Sequence, residues 1–337
     1  MKGCRLLITG AGGFTGRHAV DYFREAGAEV TAVVRRPLSP AQGGAPPLFP
    51  ANVQTYICDL SDRQAVARMI GETVPEAVLH LAGTNSVPES WREPLLYMET
   101  NVMATLYLLE AMRHVPGSRV LVAGSRLKFK PGSEEGPPHP YSLSKTIEEL
   151  VSLAWGTLFK QPVLLAEPCN LIGPGPSTGF CSLLARHIVN AEMATAAQSP
   201  DAGDSTVSAP FKVSSRYVQR DFLDVRDAVR AYDYILRKGE EGRIYRIDSG
   251  QTRQLGEIVG QLLSQATAPV PVEWGAEQEA AAAPSVPTAS GPPAAAAEAA
   301  ADDDHAAVLG WKPQIPLEQS LTDILDYCRS EQEGDIR

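Results

Sequence analysis

The stretch LLITGAGGFTGRHAV, residues 6–20, decides the fold. LLIT is an apolar run of strand type, and GRHAV opens an amphipathic helical pattern. Between them Gly10, Gly13 and Gly16 stand at GxxGxxG spacing. Glycine lets a backbone turn tightly and approach a pyrophosphate, and the helix N-terminus offers N–H donors with partial positive charge. Strand, glycines and helix in that order predict a dinucleotide site, with Phe14 and Thr15 at the helix mouth.

The alternation continues outward from this stretch. CRLLITG, EVTAVVR, VQTYICD, AVLHLAG, RVLVAGS and PVLLAEP read as strands. GRHAVDYFREAG, DRQAVARMIGET and NVMATLYLLEAMRHV read as the helices between them. Near-continuous apolar strands alternating with helices predict an α/β fold, a Rossmann-type doubly wound parallel sheet covered on both faces. Past Glu167 the rhythm changes: a Gly/Pro loop, GPGPSTGF, precedes the helical FCSLLARHIVNAEMA. RYVQRDFLDV and RIYRID read as strands flanking the helix RDAVRAYDYILRK, and Pro316 precedes a final amphipathic helix. The expected division is a dinucleotide-binding domain over 1–168, with 213–247 returning to it. A smaller α/β C-terminal substrate domain takes 169–212 and 248–330. The run EQEAAAAPSVPTASGPPAAAAEAAA, residues 277–301, has too little apolar bulk to bury a core and reads as a mobile segment.

Bulk properties bound the function. The 337 residues carry a net charge of −10, which argues against a nucleic-acid face, because phosphate backbones select clustered Lys and Arg. The five cysteines are scattered without CxxC spacing, as expected of reduced thiols rather than of disulfides or a metal site. Glycines arrive too early for a signal peptide and no apolar run reaches membrane-spanning length, so a cytoplasmic protein without a membrane partner is expected.

Three further segments bear on the cofactor. Asp59, followed by Leu60 in CDLSD, closes the third strand, where a carboxylate can accept from an adenine amino group. Leu81, Ala82 and Gly83 end the fourth strand in small residues, as a backbone close to a cofactor requires. At the end of the second strand, where an NAD site offers an acid to the ribose, VVRRP supplies Arg35 and Arg36. Guanidinium groups suit a 2′-phosphate, which favours NADP(H); two solvated arginines would leave NAD(H) open.

Tyr141 and Lys145 stand at i and i+4 on one face of a helix start, and Ser125 closes the fifth strand at the carboxyl edge of the sheet. A YxxxK match alone decides little; its place after the fifth strand decides more. Hydride delivered to a carbonyl carbon leaves an alkoxide that needs a proton. An ammonium beside the tyrosine and the positive charge of an oxidised nicotinamide would both bring its pKa from near 10 toward neutrality, and a serine hydroxyl can hold the developing oxyanion. Lys145 can also hold the nicotinamide ribose.

With these residues assembled, the chain resembles the extended short-chain dehydrogenase/reductases that act on nucleotide sugars. The resemblance runs from about Leu6 to Cys328 and rests on GAGGFTG, CDLSD, HLAG, METNVMATLYLLEA, YSLSK, EPCNLIGPGPSTGF, QRDFLDVRDAVRAY, YRIDSG and LGWKPQIPLEQSL. It looks most like the GDP-6-deoxy-4-keto-mannose reductases and next like the GDP-mannose 4,6-dehydratases. The resemblance implies that Asn101 supports the catalytic lysine through water and that Asn170 and Lys212 contact substrate. It also implies that Arg220 grips the nucleotide diphosphate, the alternative being an ion pair with Asp221 or Asp224. A homodimer through the helices of NVMATLYLLEA and YSLSKTIEELV follows by analogy.

Departures from the family pattern sharpen the choice. The glutamate that dehydratases place two residues after the catalytic hydroxyl is Leu127 here, so dehydration is disfavoured. Cys169, Cys181 and His187 do not reproduce the Cys–His pair of epimerising relatives. The segment from Ser125 to Tyr141 is short, and alanines around Ala283 stand where a second diphosphate arginine is expected. Loss of one charge-assisted hydrogen bond costs about 1.5–3 kcal/mol. Three functions stay open at this point: an NADP(H)-dependent ketone reductase, a nucleotide-sugar epimerase that retains its nicotinamide, and a dinucleotide-binding relic.

Overall fold

The computed structural model describes residues 1–36, 48–197, 209–275 and 305–335. The chain divides into two units. The first takes Met1–Pro168 and Ala228–Ile247 and a last part that ends at Lys312; the second takes Cys169–Asp227, a part that opens at Asp248, and Pro313–Arg337.

The first unit is built on one sheet. Its strands are β1 (Arg5–Thr9), β2 (Glu29–Val34), β3 (Gln54–Ile57), β4 (Ala77–His80), β5 (Arg119–Ala123), β6 (Val163–Pro168) and β10 (Ile244–Ile247). They lie in the order β10-β6-β5-β4-β1-β2-β3, and every pair is parallel. Parallel neighbours need crossover helices, which cover both faces and explain why β1, β4, β5 and β6 are apolar nearly throughout. The strand order reverses between β1 and β4, and at such a switch point the carboxyl ends of the strands open a crevice for ligands.

Helices α1 (Phe14–Glu25) and α2 (Arg63–Thr73) follow the amphipathic rule. Gly16, Ala19, Val20 and Phe23 form the buried stripe of α1, and Val66, Met69 and Ile70 that of α2. Asp62 caps α2 by accepting from the backbone N–H groups of Gln64 and Ala65 at 2.9 and 3.0 Å. Short α3 (Val87–Arg92) and α4 (Pro94–Tyr97) lead into a π-helical segment, Met98–Met103, and then α5 (Ala104–Met112). The sequence pattern predicts one regular helix there. The π segment turns Asn101 inward, where it is fully buried.

Helix α6 (Pro140–Phe159) buries a different kind of face: Tyr141, Ser142, Ser144, Lys145, Thr146, Glu148 and Ser152. A polar face withdrawn from water is tolerated only where its groups are paired, so this helix serves a site as well as a core. Its start is fixed by His139, whose Nδ1 accepts from the Ser142 N–H at 2.9 Å, and by Pro140 at the first helical position. The apolar core on this side gathers Leu7, Val33, Met69, Leu108, Val120 and Leu165.

The second unit has its own core, in which Leu184 and Ile188 of α7 (Phe180–Ala196) meet Ile258 of α9 (Leu255–Leu263) and Leu321 and Ile324 of α10 (Leu317–Asp335). Strands β7 (Asn170–Ile172), β9 (Gln219–Asp224) and β11 (Thr252–Gln254) form one small sheet, and β8 (Phe211–Val213) pairs with β12 (Val272–Trp274) in another. Helix α8 (Val225–Lys238) follows β9 directly.

Candidate active site

The glycine loop has the form its sequence predicts. Gly10 adopts φ +66°, and a Cβ there would stand 2.7 Å from the Ala82 nitrogen. A Cβ on Gly16 would run into the Gly10 carbonyl. Only hydrogen atoms fit at either position, so the loop and the end of β4 come together backbone to backbone. Gly13 begins α1 with no side chain capping the helix and no acid in its first turn, which leaves the helix N-terminus available to an anion. Phe14 and Thr15, half-buried, open that first turn.

Arg35 and Arg36 follow β2 and are both exposed. Asp59 accepts from the backbone N–H and the hydroxyl of Ser61 at 3.0 and 2.8 Å. Those two bonds, and more weakly Arg35 and Arg36, hold its carboxyl below the usual range. Leu60 comes next in the chain and Leu81, Ala82 and Gly83 leave β4. A cradle that a Cβ would fill, an uncapped helix N-terminus and two exposed guanidinium groups together fit a phosphorylated dinucleotide.

Around the carboxyl end of β5 the structure brings Ser125, Tyr141 and Lys145 together. Tyr141 is 5% exposed and Lys145 7%. The Ser125 hydroxyl is hydrogen-bonded to the Tyr141 side chain and accepts from the Leu127 N–H at 3.0 Å. The Tyr141 ring stacks on His139 at 5.9 Å and meets the edge of Tyr97 at 6.1 Å. Burial raises the phenol's pKa, while the Lys145 charge and the Ser125 hydroxyl pull it back without reversing the shift. Withdrawal from water outweighs the one neighbouring ammonium.

Asn101 does not touch Lys145. Its Nδ2 donates to the Thr84 carbonyl at 3.0 Å and to the Ser144 hydroxyl at 2.9 Å, and its Oδ1 accepts from the Thr84 N–H at 2.8 Å. Lys145 instead donates to the Ala123 carbonyl at 3.0 Å and forms an ion pair with Glu148 one turn on. Sequence reading misses Glu148, because a Lys and a Glu three residues apart normally form a solvated pair. Burial alone works against the lysine's charge, but Glu148 and the Tyr141 phenol turn the balance and raise its pKa. Truncating one member of such a buried pair leaves the other uncompensated, at about 3–5 kcal/mol.

A second cluster supports the Ser125 loop. Lys128 donates to Glu149 of α6 at 2.7 Å and forms an ion pair with Glu167 of β6. Two carboxylates share one ammonium, and burial pushes Glu167 up to about 7. The Phe129 N–H donates to the Thr146 hydroxyl at 3.1 Å, so the short loop after Ser125 is tied to α6 at consecutive residues.

The second unit contains the three remaining residues. The exposed Asn170 on β7 donates from Nδ2 to the Asp221 carbonyl on β9 at 2.8 Å. Arg220, also on β9, donates to the Gln219 carbonyl at 2.8 Å. Asp224 is taken by Arg226 and Ser320, and Asp221 accepts from Ser249. Among the described residues no carboxylate pairs with Arg220, and burial lowers its pKa. Lys212 lies apart on the other small sheet, largely exposed, 3.6 Å from Glu273. Cys181 is buried, Cys169 Sγ faces Asp221 Oδ1 at 3.5 Å, and the His187 ring lies against Phe211. Ala283, the segment 277–301 and residues 198–208 of the polar insert lie outside the described residues. Among the described residues no cluster of metal-ligating side chains occurs and no helix is long and apolar enough to cross a membrane.

A profile of the NAD dependent epimerase/dehydratase family matches residues 6–248, from the start of the glycine-loop strand to the end of β10. The chain belongs to that family. Among members of the NAD dependent epimerase/dehydratase family it is 31% identical to GDP-6-deoxy-D-mannose reductase of Pseudomonas aeruginosa over 341 residues, covering 97% of each chain. It is 26% identical to a dTDP-glucose 4,6-dehydratase of Xanthomonas campestris over 353 residues, 97% of this chain and 93% of that one. The solved structure of RMD from Pseudomonas aeruginosa complexed with NADPH superposes with a TM-score of 0.71 at 27% identity, covering 97% of this chain and 99% of that one.

Proposed function

We propose that the chain is an NADP(H)-dependent reductase of a 4-keto-6-deoxy nucleotide sugar, converting a substrate of the GDP-4-keto-6-deoxymannose type to one of the GDP-rhamnose type. The observation that carries this reading is the union of Ser125, Tyr141 and Lys145 beside the glycine cradle at the switch point of the sheet. Likeness over 97% of both chains to a GDP-6-deoxy-D-mannose reductase supports the substrate class. Leu127, where a dehydratase needs a proton-transferring carboxylate, favours plain reduction.

Gly10, Gly13 and Gly16, with Phe14 and Thr15, would hold the dinucleotide's pyrophosphate. Arg35 and Arg36 would hold a 2′-phosphate, and Asp59, Leu60, Leu81, Ala82 and Gly83 would line the adenosine side and the path to the nicotinamide. NADPH when bound supplies the hydride. Tyr141 gives its phenolic proton to the oxygen of the reduced ketone, and Ser125 donates a hydrogen bond to the same oxygen as charge develops. Lys145 favours the tyrosinate that remains, and one of its three N–H donors is left for a ribose hydroxyl. Asn101 fixes the Thr84 backbone and, through Ser144, the first turn of α6. Asn170, Lys212 and Arg220 are the groups we assign to substrate. Arg220, without a carboxylate partner among the described residues, suits a diphosphate.

GDP-4-keto-6-deoxymannose made in situ, mixed with the protein and NADPH or NADH, tests the reading by loss of nicotinamide absorbance. Consumption with NADPH in preference to NADH is expected; NADPH binding without consumption of either would refute it. The five free cysteines fit a reducing, cytoplasmic compartment. A homodimer through α5 and α6 belongs to the same proposal, supported by exposed Leu150 and Leu158 on α6 and by exposed Met103 at the end of the π segment that leads into α5.

A further inference from the structure

The α6 residue that the reductase reading leaves without a task is Glu148. It is 1% exposed, and carboxylates so withdrawn from water need a compensating partner. One oxygen faces the Lys145 ammonium; the other accepts from the Thr105 hydroxyl of α5 at 3.2 Å.

Thr105 is the near end of a longer chain of hydrogen bonds. Its single proton is shared between Glu148 and the nearer Asn101 carbonyl, 2.7 Å away, and its oxygen lies 2.9 Å from Nε2 of His80. Nδ1 of His80 lies 2.7 Å from the Thr9 hydroxyl, which accepts from the Ala82 N–H at 3.2 Å. The Ala82 amide can only donate, so Thr9 has its own proton free for Nδ1. The Thr105 proton goes to acceptors that cannot donate, so Nε2–H of His80 donates to Thr105 and the neutral ring accepts from Thr9 at Nδ1. Burial keeps this imidazole neutral, with its pKa down at about 3. The series runs from the backbone that closes on Gly10 to Thr105, whose proton is shared between the Asn101 carbonyl and, at the longer distance, the carboxylate that closes on Lys145.

We propose that Glu148 is a positioning residue, whose buried carboxylate pins the Lys145 ammonium and offsets the field that this ammonium exerts on the Tyr141 phenol. The Thr9–His80–Thr105 series holds that carboxylate in place from the β1–β4 switch point. Two of the three Lys145 N–H donors are committed, to Ala123 and Glu148, which leaves one and fixes its direction. The proposal rests on the reading of Tyr141 and Lys145 as the proton-transfer pair.

The groups facing Lys145 and Glu148 are few. Tyr141 and Glu149 lie on the same helix, and His80 reaches in from β4. α5 presents Thr105, the π segment Asn101, β5 the Ala123 carbonyl, and α4 the Tyr97 ring on Tyr141. With the carboxylate present, the Tyr141–Lys145 pair holds its protons tightly. Without it, the pair loses its first proton at lower pH, whichever of the two gives it up.

The test uses Glu148→Gln, which keeps shape and hydrogen-bonding capacity, and Glu148→Asp. The basic limb of the kcat/KM profile for ketone reduction should move about one unit lower in Glu148→Gln, with Glu148→Asp between the two. The Tyr141 phenol, read without substrate as the ultraviolet difference between each protein and its Tyr141→Phe counterpart, should move in the same direction. An unchanged profile and phenol titration, with only a lower melting temperature, would overturn the proposal. If Tyr141→Phe keeps full activity, the reductase reading fails while the phenol titration still judges Glu148.

Discussion

At Tyr141 burial raises the phenol's pKa while Lys145 and Ser125 lower it, so the proton is held until something nearby demands it. Tyr141→Phe is expected to cut the rate of ketone reduction by about 10²–10⁴-fold while leaving NADPH binding within about twofold, read by fluorescence titration. Arg35→Ala with Arg36→Ala should raise the Michaelis constant for NADPH by about ten- to hundredfold and leave that for NADH unchanged. Equal changes for the two cofactors would refute the 2′-phosphate assignment. Glu167 makes a prediction about stability. Its folded pKa of about 7 lies above the ordinary 4.5, so the folded chain binds this proton more tightly than the unfolded chain. The group's contribution to stability is full below the ordinary value and is lost as pH rises through about 7. Glu167→Gln should therefore gain stability relative to the parent on going from about pH 5 to about pH 8, measured by urea midpoints.

Among the elements, α6 shows most clearly what sequence could and could not reveal. Its start was legible: the YxxxK pair after the fifth strand predicts a helix opening at Tyr141, and α6 begins at Pro140. The cap was not, since histidine is a rare N-cap and only the 2.9 Å bond to the Ser142 N–H identifies it. His139→Ala should cost about 1 kcal/mol in denaturant unfolding at neutral pH. Burial holds the His139 pKa below its ordinary value, so its contribution is full above the ordinary histidine range and falls as pH drops through it. The glycine loop was legible because strand, turn and helix are all local. The π segment was not, because METNVMATLYLLEA has no proline or glycine to mark a change of register. Three-residue strands such as β7, β8, β11 and β12 are too short to show any period. Glu148 escaped for a related reason: its partner is plain in the sequence, but burial depends on α5 lying over it, a tertiary fact.

For the whole molecule, the exposed apolar side chains of α6 bear on assembly. Leu158 is 67% exposed and Leu150 49%. Leu150→Glu with Leu158→Glu is expected to convert a dimer to a monomer in solution mass measurements without lowering NADPH affinity; a parent chain already monomeric would refute the dimer. The sheet itself carries a consequence for biosynthesis. Its edge strand β10 pairs with β6, yet the chain runs from Pro168 to Ile244 before supplying it. At about 5–20 residues per second, a ribosome leaves the apolar edge VLLAEP waiting roughly four to fifteen seconds for its partner. An unpaired edge invites pairing with other nascent chains. A fragment ending at residue 168 should consequently aggregate, and refolding of the intact chain should depend on β10 finding the free edge of β6.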